Sequence, residues 1–284
     1  MRLALFARLP RTPSHAADGR LLDRLVKRRY DGIDLRVGAD DEALAATVVQ
    51  LHSRRLRMVA RISTASAASD APDAHVAALA SSLDVVASTV GEVAAHVVVQ
   101  VQPSKPWSRD EALAYLDGAL PLSATFLERH PHLGASSRES DTFGGRPVHL
   151  HGVSHACTSS DWGVGPLPAG EACDVYPILR LSLDPRDARR EHEARRAPFR
   201  EHEHVDHLTL RPSAAALEML PRYWRAVRAV MDLKARRGAE LMPVSVPMQV
   251  AVQDPRAGGL DDARLFESLI RRIRTGVGSG KPRR

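Results

Sequence analysis

Two textures of apolar residues alternate along this chain. Short aliphatic runs predict strands at residues 3–8 (LALFAR), 32–37 (GIDLRV), 56–62 (LRMVARI) and 96–102 (HVVVQVQ). Between them, apolar residues recur at helical spacing. Leu21, Leu22, Leu25 and Val26 share one face of a predicted helix over 18–30. Asp40, Asp41 and Glu42 open the next helix, where acids suit the positive end of the dipole, and Leu44, Val48, Val49 and Leu51 line it. A third helix is expected over 74–90. A capping box at Ser108-Arg109-Asp110-Glu111 opens a fourth, which runs through Phe126.

After Gly134 this rhythm breaks. Residues 134–176 are rich in Gly, Ser, His and Pro and predict no helix. A fifth strand is expected at 134–141 and an irregular insert at 142–176. Strands resume at 177–184 (PILRLSLD), 205–211 (VDHLTLR) and 240–246, with helices over 214–237 and 261–274. The helix over 214–237 carries Leu217, Leu220, Tyr223, Trp224, Val227 and Met231 as core. Eight strand–helix units in one chain predict an α/β fold, a single-domain (β/α)8 TIM barrel over 1–275, followed by a flexible basic tail at 276–284. An open doubly wound sheet is the competing α/β architecture, but no G-x-G-x-x-G follows the first strand. The arginine-bearing N-terminus could be read as a transit peptide. Removing it would take a stave from the barrel, so it is read as the first strand.

Composition narrows the function classes. No apolar run approaches the roughly 18 residues of a membrane helix, which predicts a soluble protein with no membrane partner. Cys157 and Cys173 are too few for a disulfide scaffold and lack C-x-x-C spacing, so a reducing, cytoplasmic setting is expected. The net charge of +6 invites a nucleic-acid reading. The cations are mostly scattered arginines, with lysine only at 27, 105, 234 and 281. Aromatic content of 4% supplies few stacking platforms, so no nucleic-acid partner is expected.

Several motifs imitate known chemistry. EHEHVDH (201–207) has the H-x-H-x-D-H spacing of a two-metal hydrolase, but that site needs later histidines, and none follows His207. It reads as a charged loop running into the seventh strand. His149, His151 and His155 lie in the insert without a nearby carboxylate, which favours solvated side chains over a zinc site. GVGSGK lacks Walker spacing and is followed by Pro282.

In a barrel, chemistry sits where strands end, at the C-terminal face. The polar residues there are Asp34, Gln100, Gln102, Glu139, Asp184, Thr209, Arg211 and Gln249. Several stretches resemble, in order, segments of the xylose isomerase-like sugar isomerases and epimerases: YDGIDL, HVVVQVQPSKPWSRDEALAYL, SSRESD, YPILRLSLD and VDHLTLR. The resemblance covers roughly residues 1–275. It implies a divalent metal, Mg²⁺ or Mn²⁺ and less readily Zn²⁺ or Co²⁺, at the barrel mouth. Glu139 and Asp184 match the family's ligands, and His207 lies on the ligand-bearing strand. Glu139 would also move the proton between adjacent carbons. Gln100, Trp107, Arg138 and Arg211 are the expected substrate contacts, with Arg180 a further anion-holding candidate.

Two expected ligand positions depart from the family pattern, and histidines that flank the family's ligands fall on Arg138, Asp141 and Asp187. Thr209 stands where a ligand His is expected and Met248 where a second Glu is expected. Two function classes therefore remain. One is a sugar or sugar-phosphate isomerase/epimerase with a small carbohydrate-like substrate. The other is a non-catalytic barrel, a pseudoenzyme that binds a ligand or protein.

Overall fold

The computed structural model describes residues 2–9, 18–38, 42–105 and 107–133, and beyond them six strands. Four strands alternate with four helices in the first part: β1 (Arg2–Arg8), α1 (Gly19–Lys27), β2 (Gly32–Arg36), α2 (Glu42–Ser53), β3 (Arg57–Ser63), α3 (Pro72–Val85), β4 (Ala94–Val101) and α4 (Arg109–Arg129). The later strands are β5 (Thr142–Phe143), β6 (Arg146–Pro147), β7 (Val153–Cys157), β8 (Ile178–Ser182), β9 (His207–Arg211) and β10 (Leu241–Pro247). β5 and β6 form a small antiparallel pair. The other eight form one sheet in the order β7-β4-β3-β2-β1-β10-β9-β8, with every neighbouring pair parallel. The protein is thus an α/β protein built on a parallel sheet.

The place beside β4 departs from expectation. It is taken by Val153–Cys157, inside the stretch expected to be an irregular insert. The segment VSHAC has only one β-branched residue and carries Ser, His and Cys, so propensity hides it. Its strand character comes from pairing with β4. The expected strand at 134–141 and the expected helices over 214–237 and 261–274 lie outside the described residues.

Local signals explain the first half. Asp18 caps α1 by accepting from the Arg20 backbone N–H at 2.9 Å. Ser108 and Glu111 form the reciprocal capping box of α4, and hydrogen bonds from the Ser108 backbone, then its side chain, hold the Glu111 carboxyl below its usual range. Helices α1 and α2 end alike. Arg29 (φ 59°) and Arg55 (φ 56°) adopt the left-handed conformation, and the next residues, Tyr30 and Leu56, donate back to the carbonyls of Leu25 and Leu51. These are Schellman closures with arginine where glycine is usual. Tyr30 and Leu56 are buried and turn the chain into β2 and β3.

Gly32, which opens β2, has no room for a side chain: a Cβ there would stand 1.8 Å from the Arg57 carbonyl oxygen. The run Pro72–Val93 is long and apolar enough to cross a membrane by length and composition. In the fold, its buried residues Leu79, Leu83, Val86 and Val90 recur at helical spacing and join the core with β3 and β4.

The core has two parts, one on each face of the sheet. Leu5, Ala7, Ile33, Leu35, Met58, Ala60, Ile62, Val97, Val99 and Val101 pack with the helices. Ala4, Phe6, Val59, Ala95 and Val98 form a separate cluster. Strand alternation assigns these sets to opposite faces. A bulge in β4 keeps the assignment consistent. Met58 pairs with Ala94 but Val59 pairs with His96, so Ala95 is the extra residue. From there on, Val98 and Gln100 lie opposite Arg61 and Ser63.

Candidate functional site

The face that carries the small cluster turns polar toward the C-terminal ends of β1 to β4. Register places Arg8 beside Asp34, Arg36 beside Arg61, and Ser63 beside Gln100. Asp34 is fully buried. Its Oδ1 accepts from Arg61 Nε at 3.1 Å, and its Oδ2 accepts from Arg61 Nη2 and, at 3.2 Å, from Arg8 Nε. The Arg61–Asp34 contact is the bidentate fork geometry of a guanidinium on a carboxylate. Arg61 has a side chain only 9% exposed, whereas Arg8 is 30% exposed.

A second polar network ties the loops that follow β3 and β4. Ser63 Oγ donates to Gln102 Oε1 at 2.7 Å. Thr64 receives the Gln102 backbone N–H on its Oγ1 at 3.2 Å, and its own N–H donates to the Gln100 carbonyl at 3.0 Å. The same hydroxyl meets His75 Nδ1 at 2.6 Å in a buried contact. With Thr64 as donor, the ring is neutral and carries its proton on Nε2. Burial pushes the His75 pKa down, opposed by the nearby Asp70 charge. Asp70 accepts from the hydroxyl and the backbone N–H of Ser104, which hold its carboxyl below the usual range.

The expected site residues separate into groups. Gln100 is half-buried on the polar face of β4. Trp107, expected to touch substrate, is buried between the loops. Its Nε1 donates to the Asp70 carbonyl at 2.7 Å, and its ring lies 4.8 Å from His75 and 5.4 Å from Tyr115. That position clamps the two loops together. His207 opens β9 opposite Ile178, and Arg211 ends it opposite Ser182. Thr209 lies between them, paired with both Arg180 and Ser245. Ser245 pairs in turn with Phe6, so this row belongs to the face that carries Asp34. Val99 pairs with His155 and Val101 with Cys157, which places those two residues in the register of the helix-packed face. Glu139, Asp184 and Arg138, together with His149, His151 and the 202–206 part of the histidine-rich segment, lie outside the described residues.

Of the residues singled out for metal chemistry, only His207 is among those described. Among the described residues, no group of three or more His, Cys, Asp or Glu is placed to hold a metal ion. Asp34, the buried carboxylate at these strand ends, is engaged by two arginines. Sequence reasoning passed over Arg8 and Arg61. The available signal was alternation: RMVARIS places Arg57, Val59, Arg61 and Ser63 on one face of a strand whose other face is wholly apolar. No family model matches the chain, and no curated protein is similar to it.

Proposed function

We propose that the chain closes into a (β/α)8 barrel and acts on a small carbohydrate-like substrate at the C-terminal ends of its strands, as a divergent relative of the sugar and sugar-phosphate isomerases and epimerases. The strand order supports closure. Each strand of the sheet lies beside its sequence neighbour in a cyclic order, and Cα atoms of the two end strands, β7 and β8, come within 8 Å of each other. The observation that carries the functional reading is the polar rim on β1 to β4, where Arg8, Asp34, Arg61, Ser63, Gln100 and Gln102 gather at strand ends.

In this reading Glu139 and Asp184, with His207, hold a divalent metal, Mg²⁺ or Mn²⁺ before Co²⁺ or Zn²⁺. When bound, the metal supplies Lewis-acid polarisation of sugar oxygens. Glu139 moves the proton between adjacent carbons. Gln100 and Gln102 offer amides to hydroxyl groups, and Arg138 and Arg211 contact the substrate. The partner is a small molecule in the cytoplasm, with neither nucleic acid nor membrane involved.

A binding protein without catalysis is the second reading. The engagement of Asp34 by two arginines favours it, because among the described residues those strand ends then present cations rather than a carboxylate for a metal.

Metal-dependent stability separates the two. Chelator-stripped protein is titrated with Mg²⁺, Mn²⁺, Co²⁺ and Zn²⁺, in parallel with Glu139→Gln. Binding to the native state at 100 times Kd adds about 2.7 kcal/mol of stability. A thermal shift in the wild type that is lost in the variant supports the isomerase reading, and sugar-isomerisation assays follow. No shift with any metal removes it and leaves the binding protein.

A further inference from the structure

Arg61 is a buried cation whose donors exceed its acceptors. Its guanidinium carries five N–H groups. Nε and one Nη2 hydrogen go to Asp34. The two N–H groups of Nη1 and the second of Nη2 meet no acceptor among the described residues, although the side chain is only 9% exposed. Buried donors are rarely left without an acceptor, because desolvating them is costly. The charge around Arg61 points the same way. Its register partner on β2 is Arg36, a like charge directly opposite on the same face. Arg8, on the next strand but one, shares the Asp34 carboxylate with it. Arg8, Arg36 and Arg61 thus converge at the ends of β1 to β3, with Asp34 joining Arg8 to Arg61.

We propose that Arg61, held in orientation by Asp34 and flanked by Arg8 and Arg36, is the receptor for an oxyanion of the ligand, a phosphate or a carboxylate. Asp34 fixes one edge of the guanidinium, which leaves another edge for a second planar, bidentate contact. The apolar cluster of Phe6, Val59 and Val98 on the same face lowers the local polarity and strengthens that contact. Gln100 and Gln102, half-buried on β4 and just beyond it, supply neutral amides for hydroxyl groups of the same ligand. The inference deepens the proposed function by giving the substrate a charge, but it needs only β1 to β3 and no metal.

The test is anion binding at constant ionic strength with chelator present, so that no metal contributes. Inorganic phosphate and glycolate are titrated separately by calorimetry, against chloride as the reference. Saturable binding of either anion, tighter than chloride, is expected, and the tighter of the two identifies the group as phosphate or carboxylate. The paired variant Asp34→Asn/Arg61→Gln removes both charges together, so neither is left buried without the other, and Arg8 loses only its contact with Asp34. Its affinity should fall about 100-fold, the loss of a charge-assisted bidentate contact. Arg8→Gln keeps the Arg61–Asp34 pair and should weaken binding about 10-fold. It decides the matter should the paired variant not fold. No binding above chloride, or unchanged affinity in the folded variants, overturns the proposal. Metal-dependent stabilisation lost in Glu139→Gln is unaffected by either result, so the two readings fail independently.

Discussion

On β2, Ile33 and Leu35 lie on one face of the sheet and Asp34 on the other, and all three are fully buried. The neighbouring strands repeat the contrast: Ala60 and Ile62 against Arg61, and Val99 and Val101 against Gln100. The helix-packed face is held by non-directional burial, where volume matters more than identity. The other face holds its buried polar groups by directed contacts, and each removed partner leaves a charge or donor stranded. Equal burial thus conceals different tolerance to substitution, and the intolerant face is the one that carries the candidate site.

The sharpest break in this comparison comes from single substitutions on β2. Asp34→Ala leaves the Arg61 cation buried without its carboxylate and should cost about 3–5 kcal/mol. Leu35→Met conserves volume and should cost less than about 1.5 kcal/mol. Urea midpoints measure both, and similar losses would erase the distinction between the faces.

A smaller effect is expected at the loop network. Thr64→Val removes the group that joins His75 to the Gln102 backbone and should cost about 1–3 kcal/mol. Acidification probes the same contact. Burial holds His75 below its ordinary value of 6.5 in the folded protein, so the unfolded chain takes up that proton first. The contribution of His75 to stability is therefore full above pH 6.5 and declines as pH falls through 6.5 toward the folded value. Denaturation at pH 7.5 and 5.5 should show wild type losing more stability than His75→Gln. An equal loss would mean that the buried imidazole does not titrate as its surroundings dictate.

The smallest change concerns how helices of the apolar layer end. Arg29→Gly and Arg55→Gly replace a side chain in the left-handed region with the residue that adopts it freely. Each should raise stability by about 0.5–1 kcal/mol, read as a higher thermal midpoint. A decrease would show that the arginine side chains contribute more than the strain they cause.

Much of the first half was legible in the sequence. GIDLR, RMVARIS and AAHVVVQV are strands because their apolar residues have strand spacing and β-branched content, and Ser108–Glu111 announced its helix start through paired hydrogen-bonding groups. The fifth position in the sheet was not legible. VSHAC lacks an apolar pattern of its own and acquires one only beside β4. The site was half legible. Asp34, Gln100 and Gln102 were recognised as polar strand-end residues, but Arg61 read as one arginine among many in a basic chain. Trp107 read as a ligand contact through the resemblance of its strand-and-loop segment; in the structure its indole N–H donates to the Asp70 carbonyl.

The sequence by itself determined the alternation of strands and helices, because hydrophobic periodicity and capping act over a few residues. It also determined the cationic balance of the chain. Only the tertiary structure decided which strands became neighbours and which face each residue joined. Those depend on register, and one extra residue, Ala95, reverses the face of everything that follows it in β4. That register brings Arg8 and Arg61 onto the carboxylate of Asp34, an encounter between residues 26 and 27 positions apart that no local pattern encodes.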